Sequence, residues 1–314
     1  MNPSPRAGYT LAILAALSWA ATSPGLSFLL ERYDIPALTL AFWRDAFIAV
    51  ACLAGIGLGA LISGRGLPRL SGAELRGFAA TGAISVGLYH ALFVTSIALN
   101  GAAMGIVLIY LFPAFVTVGA RLIFKEAIGP TQVVALALAI IGCGLLVRVY
   151  DPGVLRVSWV GTLVGIVSAV AHAGYVLFNQ RAMTRHSPWL SLALTMSFGS
   201  LALLALAAAV NGPASLAQVG PGLTPWMIVL GLSLGPTLAG YALFTSCLRH
   251  LPGRVASLIM VIEAPLATLA AVLLLGERLE PAQVVGMALI LAAAVLPGLG
   301  LRAPGGRPAA ATAD

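Results

Sequence analysis

The chain has 314 residues, of which 60% are hydrophobic and only 9% charged, with a formal net charge of +7. A water-soluble chain carries roughly 45–50% apolar and about 25% charged residues, so this composition excludes an ordinary soluble domain. The charges gather in short segments between apolar runs of about 20 residues, the length of helix that crosses a hydrocarbon core of about 30 Å. The roughly ten-residue alternation of a transmembrane β-barrel is absent, which leaves an all-α polytopic membrane protein as the expected fold class.

Ten spans follow in chain order, at about 8–30, 36–62, 77–99, 103–124, 131–149, 159–180, 188–210, 225–248, 255–275 and 282–301. The first is longer than the roughly 7–15-residue core of a secretory signal and is read as a retained helix; it carries Ser18, Trp19, Thr22 and Pro24. Near the start of the second, Trp43 with Arg44 and Asp45 reads as an aromatic belt and charges at the outer interface. The third offers Ser85, Tyr89 and Ser96 on one face, with His90 beside it, and the fourth carries Tyr110 and Pro113. On the sixth, Ser168, His172, Tyr175 and Asn179 are spaced four, three and four, one stripe of a helix. The eighth repeats this with Thr237, Tyr241 and Thr245 and adds Pro236, while the ninth carries Glu263 and Pro265. Spans five and ten have almost nothing polar beyond Gln132 and Gln283 and read as peripheral, against lipid or another copy. Residues 302–314, rich in Pro, Gly and Ala, read as a disordered tail.

An internal repeat organises these spans. "EAIGPTQVV" at 126–134 returns as "ERLEPAQVV" at 277–285, so Glu126, Pro130, Gln132, Val133 and Val134 recur as Glu277, Pro281, Gln283, Val284 and Val285. "YLFPAFVTV" (110–118) faces "IEAPLATLA" (262–270), and "HALFVTS" (90–96) faces "YALFTS" (241–246). Two halves of five spans result, 1–150 and 151–301. Because five is odd, the second half enters the membrane with opposite polarity, the inverted repeat that many secondary transporters use around a midplane site. Pro113 and Pro265 form a symmetric pair suited to hinges.

This pattern of apolar helix, mid-helix Pro, Glu at a helix end, then Pro-x-Gln and a Gly-bearing apolar helix resembles the drug/metabolite transporter superfamily, in its ten-helix EamA-type branch. The resemblance covers about Thr10 to Leu301. Within the branch the chain looks most like the bacterial aromatic amino acid exporters. It implies a secondary transporter in a bacterial inner membrane that exports small amphipathic metabolites, aromatic and other apolar amino acids first. Broad export of lipophilic cations is the alternative.

Polar and aromatic groups in a lipid-embedded bundle turn inward, where their polar atoms find partners. The expected cavity therefore lies between spans one, three, six and eight, with four and nine contributing Tyr110 and Glu263. Its candidate lining is Trp19, Tyr89, His90, Ser96, Tyr110, His172, Tyr175, Asn179, Tyr241, Thr245 and Glu263. Glu263 is either a proton- or amine-binding group or a packing carboxylate beside the Pro265 break. His90 and His172 are either ligand or proton groups or neutral buried side chains. A zwitterion needs a partner for each charge, and this lining holds one carboxylate and no clear cation. His186 and His250 read as interfacial, and Cys52, Cys143 and Cys247 as small buried apolar groups without disulfide or metal spacing.

No GxxxxGK[ST] or HExxH motif and no clustered carboxylates occur, so neither ATP drive nor an enzyme is expected, and no cofactor is called for. The basic balance does not call for nucleic acid. With the N-terminus in the cytoplasm, twelve Lys or Arg fall inside against five outside (Arg32, Arg44, Arg148, Arg156 and Arg278), the direction of the positive-inside rule, and the C-terminus is cytoplasmic too. Expected partners are a small-molecule substrate and the lipid bilayer; protons and a second copy of the chain are left open.

Overall fold

A computed structural model describes residues 4–64, 66–153, 157–275 and 279–300. The expectations for Arg65, Arg156, Glu277, Arg278 and the tail lie outside these residues. The described chain is helical throughout, without a strand among the described residues. We number the helices α1 (Pro5–Tyr33), α2 (Ala37–Ser63), α3 (Gly72–Gly101), α4 (Met104–Phe124), α5 (Pro130–Leu146), α6 (Trp159–Ala182), α7 (Pro188–Asn211), α8 (Thr224–Cys247), α9 (Gly253–Ala270) and α10 (Pro281–Gly298). Eight of them, α2–α4 and α6–α10, are long and apolar enough to cross a membrane by length and composition, and α5 is a shorter apolar helix.

Local chemistry marks where each helix begins. Pro stands in the first turn of α1, α5 and α7, where its missing N–H would have had no partner. Ser4, Ser158 and Ser187 cap α1, α6 and α7 by accepting from main-chain N–H groups of the first turn. Ser71 and Glu74 make a capping box at α3. Between α3 and α4 the chain turns at Gly101, whose φ of +80° with ψ of 164° suits glycine and strains other residues.

The repeat is visible in the irregularities. A π-helical segment, Ala83–Leu88, interrupts α3, and another, Ser233–Thr237, interrupts α8. A turn at Tyr110 and Leu111 breaks α4, and one at Val261 and Ile262 breaks α9. Each pair is offset by about the 151 residues that separate Glu126 from Glu277. Pro236 has no proline counterpart in the first half, yet the same break forms at Ala83–Leu88, so helix geometry keeps a symmetry that the residue types have lost. Pro113 and Pro265 each stand in the first turn after their break, where the missing N–H disturbs least.

Helices α5 and α10 pack on one another. A Cβ added to Gly142 would lie 2.7 Å from the Gly286 carbonyl oxygen, and one added to Gly286 would lie 2.6 Å from that of Gly142. Such close backbone approach through small residues is how helices associate when lipid removes the hydrophobic drive between them. Gly142→Leu is expected to force the pair apart at a cost of about 1–3 kcal/mol. Cys143, now 1% exposed, then becomes reactive to a maleimide in detergent; a thiol as slow as in the unmodified chain would show that the crossing tolerates a side chain.

Candidate functional site

The two halves enclose a cavity of about 500 Å³. Its walls come from α1 (Trp19, Thr22, Leu26), α2 (Leu40, Ala41, Arg44), α3 (Tyr89, His90, Phe93), α4 (Ile109, Tyr110, Phe112), α6 (His172), α8 (Thr237, Tyr241) and α9 (Met260, Glu263, Ala267). Leu30, Leu146 and Val147 carry it toward the end of the bundle opposite the N-terminus.

Aromatic rings form a nearly continuous band from one half to the other. Trp19 meets Tyr241 edge-on with centroids 5.0 Å apart, and Tyr241 lies 6.0 Å from Tyr175. His172 stacks parallel to Tyr175 at 6.3 Å and lies 4.6 Å from Tyr89, which in turn lies 4.6 Å from His90. Such rings supply flat apolar area with little conformational entropy to lose. Thr237, in the π-helical segment of α8, has a buried hydroxyl without a hydrogen-bond partner among the described residues.

The charges are distributed otherwise than the sequence reading had them. Arg44 and Asp45 are not interfacial: Asp45 is 0% exposed and the Arg44 side chain 14%, eight or nine residues into α2 and so roughly 12 Å below its end. Arg44 Nε donates to Asp45 Oδ1 at 3.1 Å. The Arg44 Nη2 group lies 2.8 Å from His90 Nε2. A guanidinium only donates, so His90 Nε2 accepts and the ring proton of a neutral His90 sits on Nδ1. That Nδ1 faces Asp45 Oδ2 at 3.3 Å, close but off the direction of a hydrogen bond. The three side chains form a closed, overall neutral triad that presents Arg44 to the cavity. Trp43, read as part of an interfacial belt, donates its indole N–H to the Leu216 carbonyl at 2.8 Å and packs edge-on against Trp226, tying α2 to the segment between α7 and α8.

Seven of the candidate residues line the cavity: Trp19, Tyr89, His90, Tyr110, His172, Tyr241 and Glu263. Glu263 opens the second segment of α9, just past the break, and has no ion-pair or hydrogen-bond partner among the described residues. The other four stand behind the wall. Tyr175 and Thr245 bond to each other at 3.1 Å. Asn179 donates to the Tyr175 carbonyl and accepts from Ser191, joining α6 to α7. Ser96 donates to the Gly161 carbonyl and supports the packing of α3 on α6. Small polar groups in a helix find such backbone partners readily, which is why spacing alone did not separate them from the lining.

The opposite, N-terminal end is closed by polar contacts between the halves. Glu126 Oε2 accepts from Arg254 Nε at 2.6 Å, and Oε1 accepts from Gln180 at 2.8 Å. Gln180 also accepts the Gly253 N–H, and Gln132 donates to the Arg254 carbonyl. The repeated glutamine does the same at the other end, where Gln283 donates to the Leu146 carbonyl at 2.9 Å. The recurring Pro-x-Gln is therefore a device by which each half grips the other. His186 and His250 belong to the N-terminal end, bonded to Glu74 and to the Ser4 N–H.

Comparison with known proteins agrees with this architecture. A solved crystal structure superposes with a TM-score of 0.76 over 95% of this chain and 99% of its own, at 19% identity, which speaks for the fold alone. An inner membrane transporter of Salmonella typhimurium, YicL, is 26% identical over 93% of this chain and 95% of its own length. The threonine/homoserine exporter RhtA of Escherichia coli is 30% identical over 53% of the chain, and that match spans about half of RhtA, 54% of its length. The model of the EamA-like transporter family matches twice, at residues 6–148 and 159–298, the two five-helix halves that frame the cavity. With a doubled family match over nearly its whole length and its halves set around a largely apolar, ring-lined cavity, this chain belongs to the EamA-like transporter family.

Proposed function

We propose that the chain is a secondary transporter of a bacterial inner membrane that exports small amphipathic metabolites, aromatic and other apolar amino acids first, by alternating access of its two halves, 1–150 and 151–301, to the cavity. The observation that carries this reading is the cavity's chemistry. Its volume of about 500 Å³ lies within the range of roughly 300–1,000 Å³ typical of small-molecule sites. Aromatic rings wall it, one guanidinium and one carboxylate reach it, and these are the partners that an apolar zwitterion needs. The name of RhtA supports an amino acid as cargo. With Arg44 removed from the outer loops, the basic residues divide twelve to four, which supports cytoplasmic termini.

Proteoliposomes loaded with labelled phenylalanine, tryptophan, threonine and a lipophilic cation test the reading, with and without an imposed pH gradient. Saturable efflux of the amino acids is expected. Movement of the cation alone, and only when protons exchange, would replace this reading with its rival, proton-coupled export of lipophilic cations. The observation favouring the rival is the unpaired carboxylate of Glu263. Glu263→Gln separates the roles of this carboxylate: loss of amino acid efflux assigns it to the ammonium of the amino acid, and loss of cation efflux alone assigns it to the cation.

A further inference from the structure

We infer that Arg44, held by Asp45 and His90, is the specificity-determining anchor of this cavity and takes the carboxylate of the transported molecule. The inference deepens the proposed function and rests on it. A guanidinium carries five N–H donors in a planar fork. Here Nε is taken by Asp45 and one N–H of Nη2 by His90, while Nη1 bonds to nothing among the described residues. Arg44 lines the cavity, and the one lysine of the chain, Lys125, lies outside it at the end of α4.

The triad explains how a cation can stand there. An isolated guanidinium at this depth would be costly, and the neighbouring Asp45 offsets that cost. Asp45 sits on the same helix and is fully buried, so it cannot turn to the cavity to compete with an incoming anion. His90 approaches from α3, so the fork is gripped from two helices and its free edge is aimed. A ligand carboxylate then meets a pre-oriented donor pair, with little ordering left to do on binding. Glu263, across the cavity on α9, remains for the ammonium, and the aromatic rings for the apolar side chain. The selected class is a carboxylate-bearing amphiphile; a lipophilic amine lacks the group that Arg44 is built to hold.

Binding to the purified full chain tests this directly, by displacement of labelled phenylalanine with phenethylamine, which lacks the carboxylate, and 3-phenylpropionate, which lacks the ammonium. In the unmodified protein the loss of the carboxylate is expected to weaken binding about 10–100-fold, the size of a charged hydrogen-bond contact. Arg44→Gln combined with Asp45→Asn removes both charges together and leaves no buried ion alone. It is expected to bind phenylalanine and phenethylamine alike. Arg44→Lys, which keeps the charge without the fork, is expected to lower the preference and serves where the double variant does not fold. A double variant or Arg44→Lys that keeps the full preference for phenylalanine overturns the anchor and leaves amino acid export standing. An unmodified protein that binds a lipophilic cation but neither phenylalanine nor phenylpropionate overturns both.

Discussion

Asp45→Ala is expected to destabilise the bundle by about 3–5 kcal/mol, the penalty for leaving a buried charge without its partner. Asp45 is fully buried, and Arg44 would keep only His90 as an acceptor in a low-dielectric setting. Asp45→Asn retains an oxygen for Arg44 Nε but still removes the countercharge, so it should recover only the hydrogen-bond part of that loss, about 1 kcal/mol. As a control, the Arg148 pairs with Asp151 and Glu280 sit with side chains 30–42% exposed, so removing Asp151 should change stability by less than about 1 kcal/mol. The chain carries its own reporters, since Cys52, Cys143 and Cys247 are all buried and react with a thiol dye only as the bundle opens. An Asp45→Ala chain that exposes its thiols at the same temperature as the unmodified one would mean that water in the cavity already solvates Arg44.

Which parts of this were legible in sequence depends on what periodicity and repeats can see. The ten helices come from apolar runs that the bilayer itself demands, and the two halves come from a nine-residue motif that recurs. His90, His172, Tyr89 and Tyr241 were found because polar rings inside apolar spans turn inward. Arg44 and Asp45 were misread because Trp43 beside them suggested an interface. The signal against that reading was present: eight residues into a 27-residue apolar helix is too deep for a headgroup charge, and adjacent residues of opposite sign can neutralise each other there. The break at Ala83–Leu88 was not legible, since no proline marks it and only its equivalence to Ser233–Thr237 points to it. The placing of Ser96, Asn179 and Thr245 behind the wall depends on which carbonyl lies nearest, which a single sequence does not encode.

The contacts at the N-terminal end predict a conformational bias. Glu126 and Arg254 join one half to the other with side chains only 20% and 21% exposed, and Gln180 completes the clasp. By the 151-residue offset the position equivalent to Arg254 is Ala103, so the first half has no matching cation for a second clasp of this kind. The other end does carry a charged contact between the halves, Arg148 with Glu280 at 2.8 Å, but its side chains are 37% and 42% exposed, so the more buried Glu126–Arg254 clasp is the stronger of the two and favours the conformation with the N-terminal end shut. Loss of a contact of this type shifts an equilibrium by about tenfold or more. Arg254→Gln is thus expected to raise the labelling rate of a cysteine placed at Ser257, now 0% exposed and one turn along α9, by about tenfold in a chain whose native cysteines are Ala. Arg148→Gln, at the opposite end, should leave that rate nearly unchanged. If Arg254→Gln labels no faster than its parent, apolar packing around Val116, Val176 and Val255 rather than the clasp holds this end shut.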